Sequence, residues 1–401
     1  MERDNPWPQH PTPPPSLLQG LASPPPGRSN AFTVGDSGFI GNTDVATVRA
    51  SKFLSIQECA HKFREWHSGG GTLSSPKNRE KSLVLKVSAR DLVNLKELLG
   101  IDDESDKKFP LYTFNSASST LTFRCFPSPI HGQVVSTISE GFYLALFGLP
   151  ANTKSKIYII APKKYIRFYA KYDGSEIISD IAVQIYNDMG NEVKFILEVG
   201  LSESYEKLVE DAQLWLEGTK TVSVVMLVKL YEDPPYNGPT HDLTDEEFNA
   251  LQFPPKNEIN QQSFVVNGQC GPATYKGLTW VGSISGFIEI WGFEGASRSA
   301  CRISDRIDLL SADKSMENYF SMSNFIDIAD NDHPIRFDWA TYFENLRSHI
   351  KELAFNRCYI TLRDRNRQVN ASSSLPAPPN RQLGEANVTG GGELANILSN
   401  L

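Results

Sequence analysis

Ser175-Glu-Ile-Ile-Ser-Asp-Ile-Ala-Val-Gln-Ile-Tyr186, Asn187-Asp-Met-Gly-Asn191 and Glu192-Val-Lys-Phe-Ile-Leu-Glu-Val-Gly200 read as two apolar strands around a polar turn that carries a glycine. Taking Asn187 to Asn191 as the loop pairs Tyr186 with Glu192, which sets Asp180 opposite Glu198 on the neighbouring strand. Just upstream, Asp173-Gly174 between alternating runs signals a two-residue hairpin. It pairs Tyr172 with Ser175 and sets Arg167 beside Asp180. One sheet face then holds Ile166, Phe168, Ile181, Val183, Ile185, Phe195, Leu197 and Val199, which is a core. The other carries Arg167, Asp180 and Glu198 in one row.

Outward from this pair the elements are legible by period. Ile130, Val134, Val135, Ile138, Phe142 and Ala145 recur at helical spacing, with Pro150 just beyond the end. Strand-like segments at 156–161, 164–172, 176–186 and 193–200 follow, then a helix over 203–217. Val222 to Tyr231 is apolar almost throughout, as for a strand buried on both faces. Residues 233–275 are rich in Pro, Asn and Gly and predict a long excursion with one short helix near 244–251. Two more strands fit 278–284 and 286–293. Asp338 caps a closing helix striped by Trp339, Tyr342, Phe343, Leu346, Ile350, Leu353 and Ala354. Before the core, helices are predicted near 55–66 and over 88–99, the latter with Ser88 as N-cap and Gly100 as its stop. Two short strands at Leu111-Tyr-Thr-Phe and Leu121-Thr-Phe-Arg-Cys come next.

The chain has 401 residues, 40% hydrophobic and 21% charged, which suits a globular α/β domain and excludes collagen and coiled coil. No apolar run approaches the roughly 20 residues of a membrane span, and the proline-rich start does not read as a signal peptide. An intracellular protein, nuclear or cytoplasmic, with no membrane partner is expected. Five cysteines at 59, 125, 270, 301 and 358 lack metal-knuckle spacing and read as reduced thiols. A net charge of −8 argues against a surface that grips nucleic acid everywhere, so any such contact is local. The expected organisation is a disordered Pro-rich tail over 1–50, a helical extension over 51–110 and an α/β core over 111–295. A helical extension over 296–365 and a mostly disordered tail over 366–401 complete it.

Carboxylates directly opposite on neighbouring strands cost some tenths to about 1 kcal/mol, so Asp180 against Glu198 needs a counter-charge. Two are open: a divalent cation such as Mg²⁺ held by both carboxylates, or Arg167 neutralising Asp180 while Glu198 points to water.

The order of elements, a helix over 130–147, strands, a helix over 203–217 and a buried strand, resembles the restriction-endonuclease-like core of the PD-(D/E)XK superfamily. Ser179-Asp180-Ile-Ala-Val matches its first motif with Ser in place of Pro. Glu198-Val-Gly-Leu-Ser202 matches its second with Gly200 where Lys is expected. Ile196 to Glu217, and Phe126-Pro-Ser-Pro-Ile-His131 entering its helix, are also similar to a group of uncharacterised fungal proteins. More distantly they are similar to bacterial proteins of this fold whose lysine has moved to the following helix. The resemblance covers about 110–295. It implies a mixed sheet flanked by helices, Asp180 and Glu198 as Mg²⁺ ligands, and Lys207 as the cation beside the attacking water of a nucleic-acid phosphodiesterase. The alternative it leaves is a catalytically inactive nuclease-fold module that binds nucleic acid or protein, because Gly200 replaces the lysine.

Lys207, the sole basic residue of helix 203–217, reads either as that catalytic cation or as a solvated partner of Asp211 at i+4. Glu140 sits where some superfamily members place an extra acid, yet lies opposite its helix's apolar stripe. His131 can serve as a base or stand exposed at a helix start. Lys163, Lys164, Arg167 and Lys171 with Tyr165, Phe168 and Tyr169 fit either a phosphate-tracking strip or an ordinary solvated strand. Arg357, Arg363, Arg365 and Arg367 form a basic flank.

Overall fold

The strand pair at the centre of the sequence is the centre of the molecule, described by a computed structural model over 53–68, 80, 82–101, 111–124, 127–188, 190–294, 298–309, 320–326 and 334–373. The expected tails over 1–50 and most of 366–401 lie outside the described residues, as does Cys125.

Helix α1 (Ile56–Ser68), β1 (Leu83–Lys86), α2 (Ala89–Leu99), β2 (Leu111–Asn115) and β3 (Thr120–Arg124) come first. The strands form a sheet of their own in the order β1-β3-β2, over a small core of Phe63, Leu85, Leu92, Leu95, Phe114 and Phe123. The Ser88 side chain accepts from Asp91 N–H, and Gly100 ends α2 at φ 64°, a conformation that only glycine adopts without strain.

Helix α3 (Pro129–Phe147), the short α4 (Ala151–Lys154), β4 (Ile157–Ile160), β5 (Lys163–Tyr165), β6 (Ile177–Ser179), β7 (Ile181–Asn187), β8 (Gly190–Gly200), α5 (Tyr205–Gly218) and β9 (Val224–Asp233) follow. The excursion holds α6 (Asp245–Ala250) and a small sheet of β10 (Val265–Val266), β11 (Ala273–Tyr275) and β12 (Leu278–Val281). Then come β13 (Ser283–Glu294), β14 (Ser299–Arg302), β15 (Ile307–Asp308), β16 (Phe320–Ser321), β17 (Pro334–Ile335) and α7 (Trp339–Ser373). The main sheet runs β14-β13-β9-β8-β7-β4, with β15 also on β13. It is mixed: β8 and β9 are parallel and its other ladders antiparallel. The chain is therefore mixed α/β, a mixed sheet with helices on both faces. Residues 298–365, expected as helical, contribute strands as well as α7.

Helix placement follows from which residues alternate inward. Ile181, Val183, Phe195, Leu197, Val199, Met226 and Val228 meet α3 and α7 on one face. Ala182, Ile196, Val225 and Leu227 meet Leu208, Ala212, Trp215 and Leu216 of α5 on the other. Each such side chain contributes about 1.5–3 kcal/mol on burial, and a sheet covered on both faces accounts for the nearly unbroken apolar run of β9.

Register departs from expectation in two places. Asn187 pairs with Gly190, so the turn is shorter than the five residues read from sequence. A bulge at Lys194 absorbs the difference, so Ile181 still faces Leu197. The Asp173-Gly174 hairpin is not a simple two-residue turn. Lys163 pairs with Ser179 and Tyr165 with Ile177, while a 3-10 turn takes Ala170 to Tyr172. Arg167 is thus exposed, off the ladder and away from the row it was expected to join.

Candidate functional site: an arginine among four carboxylates

Glu198 lies on β8 on the face covered by α5 and is fully buried. Trp215, on the inner face of α5, donates its indole N–H to Glu198 Oε1 at 2.8 Å. Arg124, the last residue of β3, reaches over from the N-terminal sheet. Its Nη1 and Nη2 each lie 3.4 Å from Glu198 Oε2. Nη2 also meets Asp211 Oδ2 at 3.3 Å, and Nε lies 3.2 Å from Glu203 Oε1. Nη1 further donates to Ile178 O, which ties the guanidinium to β6.

Asp180 sits where the chain passes from β6 to β7. Its N–H donates to Leu197 O, and its Oδ2 accepts Val199 N–H at 2.7 Å and pairs with His131 Nε2 at 3.2 Å. Helix α3 supplies His131 from its first turn, behind the Ser128 cap. Contrary to the exposed reading, His131 is largely buried, with a side chain 14% accessible. Lys207 pairs with Asp211 one turn along α5, but the pair is interior, Asp211 being fully covered. The sequence thus brings Asp180, Glu198 and Lys207 into one cluster, Lys207 through Asp211. Arg124, Glu203, Asp211, Trp215 and His131 complete it. Glu140 takes no part.

Charge decides how these groups titrate. Burial pushes Glu198 well above the usual carboxylate range, with Asp180 and Asp211 adding to it and Arg124 only partly opposing. Burial also works against the charged form of Asp180, yet the His131 charge and hydrogen bond, Arg124 and the Val199 N–H outweigh it and hold this carboxyl below its ordinary value. His131 is raised in turn, Asp180 overcoming the burial that would lower it. Three buried atoms of the cluster have no hydrogen-bond partner, Arg124 Nε, His131 Nδ1 and Glu203 Oε2.

Gly200, where a lysine was expected, has its own explanation. A Cβ there would lie 2.8 Å from Leu208 Cδ1. Close packing of α5 on β8 leaves no space for a side chain at this position.

The fit of a divalent cation follows from the oxygens. Mg²⁺ takes carboxylate oxygens at about 2.0–2.1 Å in octahedral geometry. Both oxygens of Glu198 accept protein donors, Asp180 Oδ2 accepts Val199 N–H and faces His131, and a guanidinium stands among Glu198, Glu203 and Asp211. Among the described residues no group of three or more His, Cys, Asp or Glu is arranged to hold a metal ion. As arranged, the donor set holds a guanidinium.

In sequence Arg124 is only a charged residue ending the apolar run Leu121-Thr-Phe at a Pro-rich entry to a helix. What no pattern announced is that this strand, 74 positions away in sequence, swings its last side chain onto β8. The basic strip is only partly a surface. Lys164 pairs with Glu176 at 3.0 Å, Lys171 with Glu217 at 2.9 Å, and Phe168 is buried against Trp215. Arg167 and Tyr169 remain exposed, with Lys220 over the Tyr169 ring. Arg357 is likewise no surface residue: it is buried and bound by Glu80 and Glu232.

No family model, curated protein or solved structure matches the chain. Among the described residues no helix is long and apolar enough to cross a membrane.

Proposed function

We propose that this chain is a catalytically inactive module of the restriction-endonuclease-like, PD-(D/E)XK type, which binds nucleic acid without cleaving it. The observation that carries this reading is Arg124: its guanidinium sits among Glu198, Glu203 and Asp211, where a cleaving site would gather a cation and water. This counter-charge neutralises the buried carboxylates, and both oxygens of Glu198 are committed to protein donors. Lys207 is held by Asp211, so the amine that would steady an attacking hydroxide is engaged as well. Nucleic acid as partner is supported by the exposed Arg167, Tyr169 and Lys220 group, which offers cations beside a stacking ring.

The test is a cleavage and binding assay on single- and double-stranded DNA and RNA in Mn²⁺. Binding without cleavage is expected, weakened by Arg167→Ala together with Lys220→Ala. Cleavage lost in Asp180→Ala, Glu198→Ala and Lys207→Ala by roughly 10²-fold or more each, the scale for one preorganised group, would replace this reading with a metal-dependent phosphodiesterase.

A further inference from the structure

A second buried carboxylate lies two strands from the first, at the same level of the sheet. Glu198 on β8 pairs with Leu227 on β9, and Leu227 pairs with Glu289 on β13. Glu289 is fully buried and accepts from every side. Its Oε2 takes Tyr205 OH at 2.8 Å and Trp291 Nε1 at 3.1 Å. Its Oε1 takes Arg302 Nη1 at 3.0 Å together with Arg306 Nε at 3.0 Å and Nη2 at 2.9 Å.

Two guanidiniums that meet at one oxygen atom stand side by side, and a single carboxylate balances only one of them. Their other ends face solvent: the Arg302 and Arg306 side chains are 44% and 46% accessible, against none for Glu289. Arg302 commits one of its five N–H donors to Glu289 and Arg306 two, so both forks retain outward-facing donors in a fixed pose. Arg306 is further fixed by stacking at 3.8 Å over Phe287 and 5.2 Å over Tyr205. On the next strand Lys229 pairs with Phe287 and gives its amine to two backbone carbonyls, Leu201 O and Leu230 O. Burial draws its pKa down to about 8. The acids that bear on this corner are Glu206 and Glu203, both felt by Lys229, and Asp308, which pairs with Phe287.

We infer that Arg302 and Arg306, locked by Glu289, form an oxyanion site for a phosphate group. A planar fork paired with a second one matches tetrahedral phosphate oxygens. The phosphate is either a free phosphate or phosphomonoester, or the backbone of a nucleic acid. The site stands independently of the carboxylate cluster at Glu198 and of whether that cluster cleaves.

The experiment is calorimetric titration of the full chain with inorganic phosphate at constant ionic strength, then with a phosphodiester oligonucleotide lacking terminal phosphates. Removing both arginines would leave Glu289 without a counter-charge and unfold the corner, so the variants are Arg302→Lys and Arg306→Lys, which keep the charge and lose the fork. Saturable binding by the parent, weakened about tenfold or more in each variant and unchanged in Lys154→Arg, an exposed position outside both sites, is the expected result. If the oligonucleotide shows the same dependence, the ligand is the nucleic-acid backbone; if only phosphate does, it is a free phosphate ester. No binding by the parent, or binding untouched by both lysine variants, overturns the site.

Discussion

Arg124 stays charged at any accessible pH, so its removal strands carboxylates rather than merely losing a contact. Breaking a buried pair by deleting one partner costs about 3–5 kcal/mol. Arg124→Ala is therefore expected to lower unfolding free energy by that amount in urea, whereas Arg167→Ala, exposed and off the ladder, should change it by no more than about 0.5 kcal/mol. A loss in Arg167→Ala as large as that in Arg124→Ala would restore Arg167 as a counter-charge to Asp180. The cluster also sets a pH dependence. His131 is raised from 6.5, so its contribution is complete below that value and is lost as pH climbs through the folded one. Glu198 is raised from 4.5, so above that pH the unfolded chain releases a proton that the folded chain keeps, and stability again falls with rising pH. Asp180, lowered from 3.8, contributes above that value and loses its share only in acid. Stability should thus decline as pH rises above 4.5, and more steeply above 6.5 where His131 joins Glu198, with a shallower slope in the His131→Gln, Glu198→Gln double variant. A rise over that window would contradict these assignments.

At the scale of elements, β8 against α5 sets what the site is able to contain. Gly200→Ala drives a methyl into Leu208, which is fully buried, and overpacking of this kind costs about 1–3 kcal/mol. Combined with Leu208→Ala, the double variant should be less destabilised than the two single losses added together, a coupling that a double-mutant cycle reads directly. Strict additivity would mean that the helix is not in the way. The same pair of elements marks how far the sequence could be read. Helix α5 and strands β7 to β9 were legible because their apolar periods are long and unbroken. The level of Asp180 with Glu198 was legible too, although the turn was misjudged, since the Lys194 bulge restores the pairing that a shorter turn would have shifted. The path of 166–172 was not legible. There Phe168 and Tyr172 turn inward against Gly218, where a Cβ would lie 2.9 Å from Phe168 Cδ1, and tertiary packing overrides the alternating pattern. Arg124 was out of reach for a related reason: contact between separate sheets leaves no periodic trace in either.

For the whole molecule, the acidic balance of −8 means that anionic ligands are attracted only locally, at Arg302 with Arg306 and beside Arg167, and binding there should weaken as salt rises. Whether Arg124 occupies the place of a cation is read by melting the chain in increasing Mn²⁺. An ion that binds the folded state raises Tm in proportion to RT ln(1 + [L]/Kd). With Arg124 in that place, Tm stays flat for the parent and for Glu198→Gln alike. A Tm that climbs with Mn²⁺ in the parent and stays level in Glu198→Gln would contradict it.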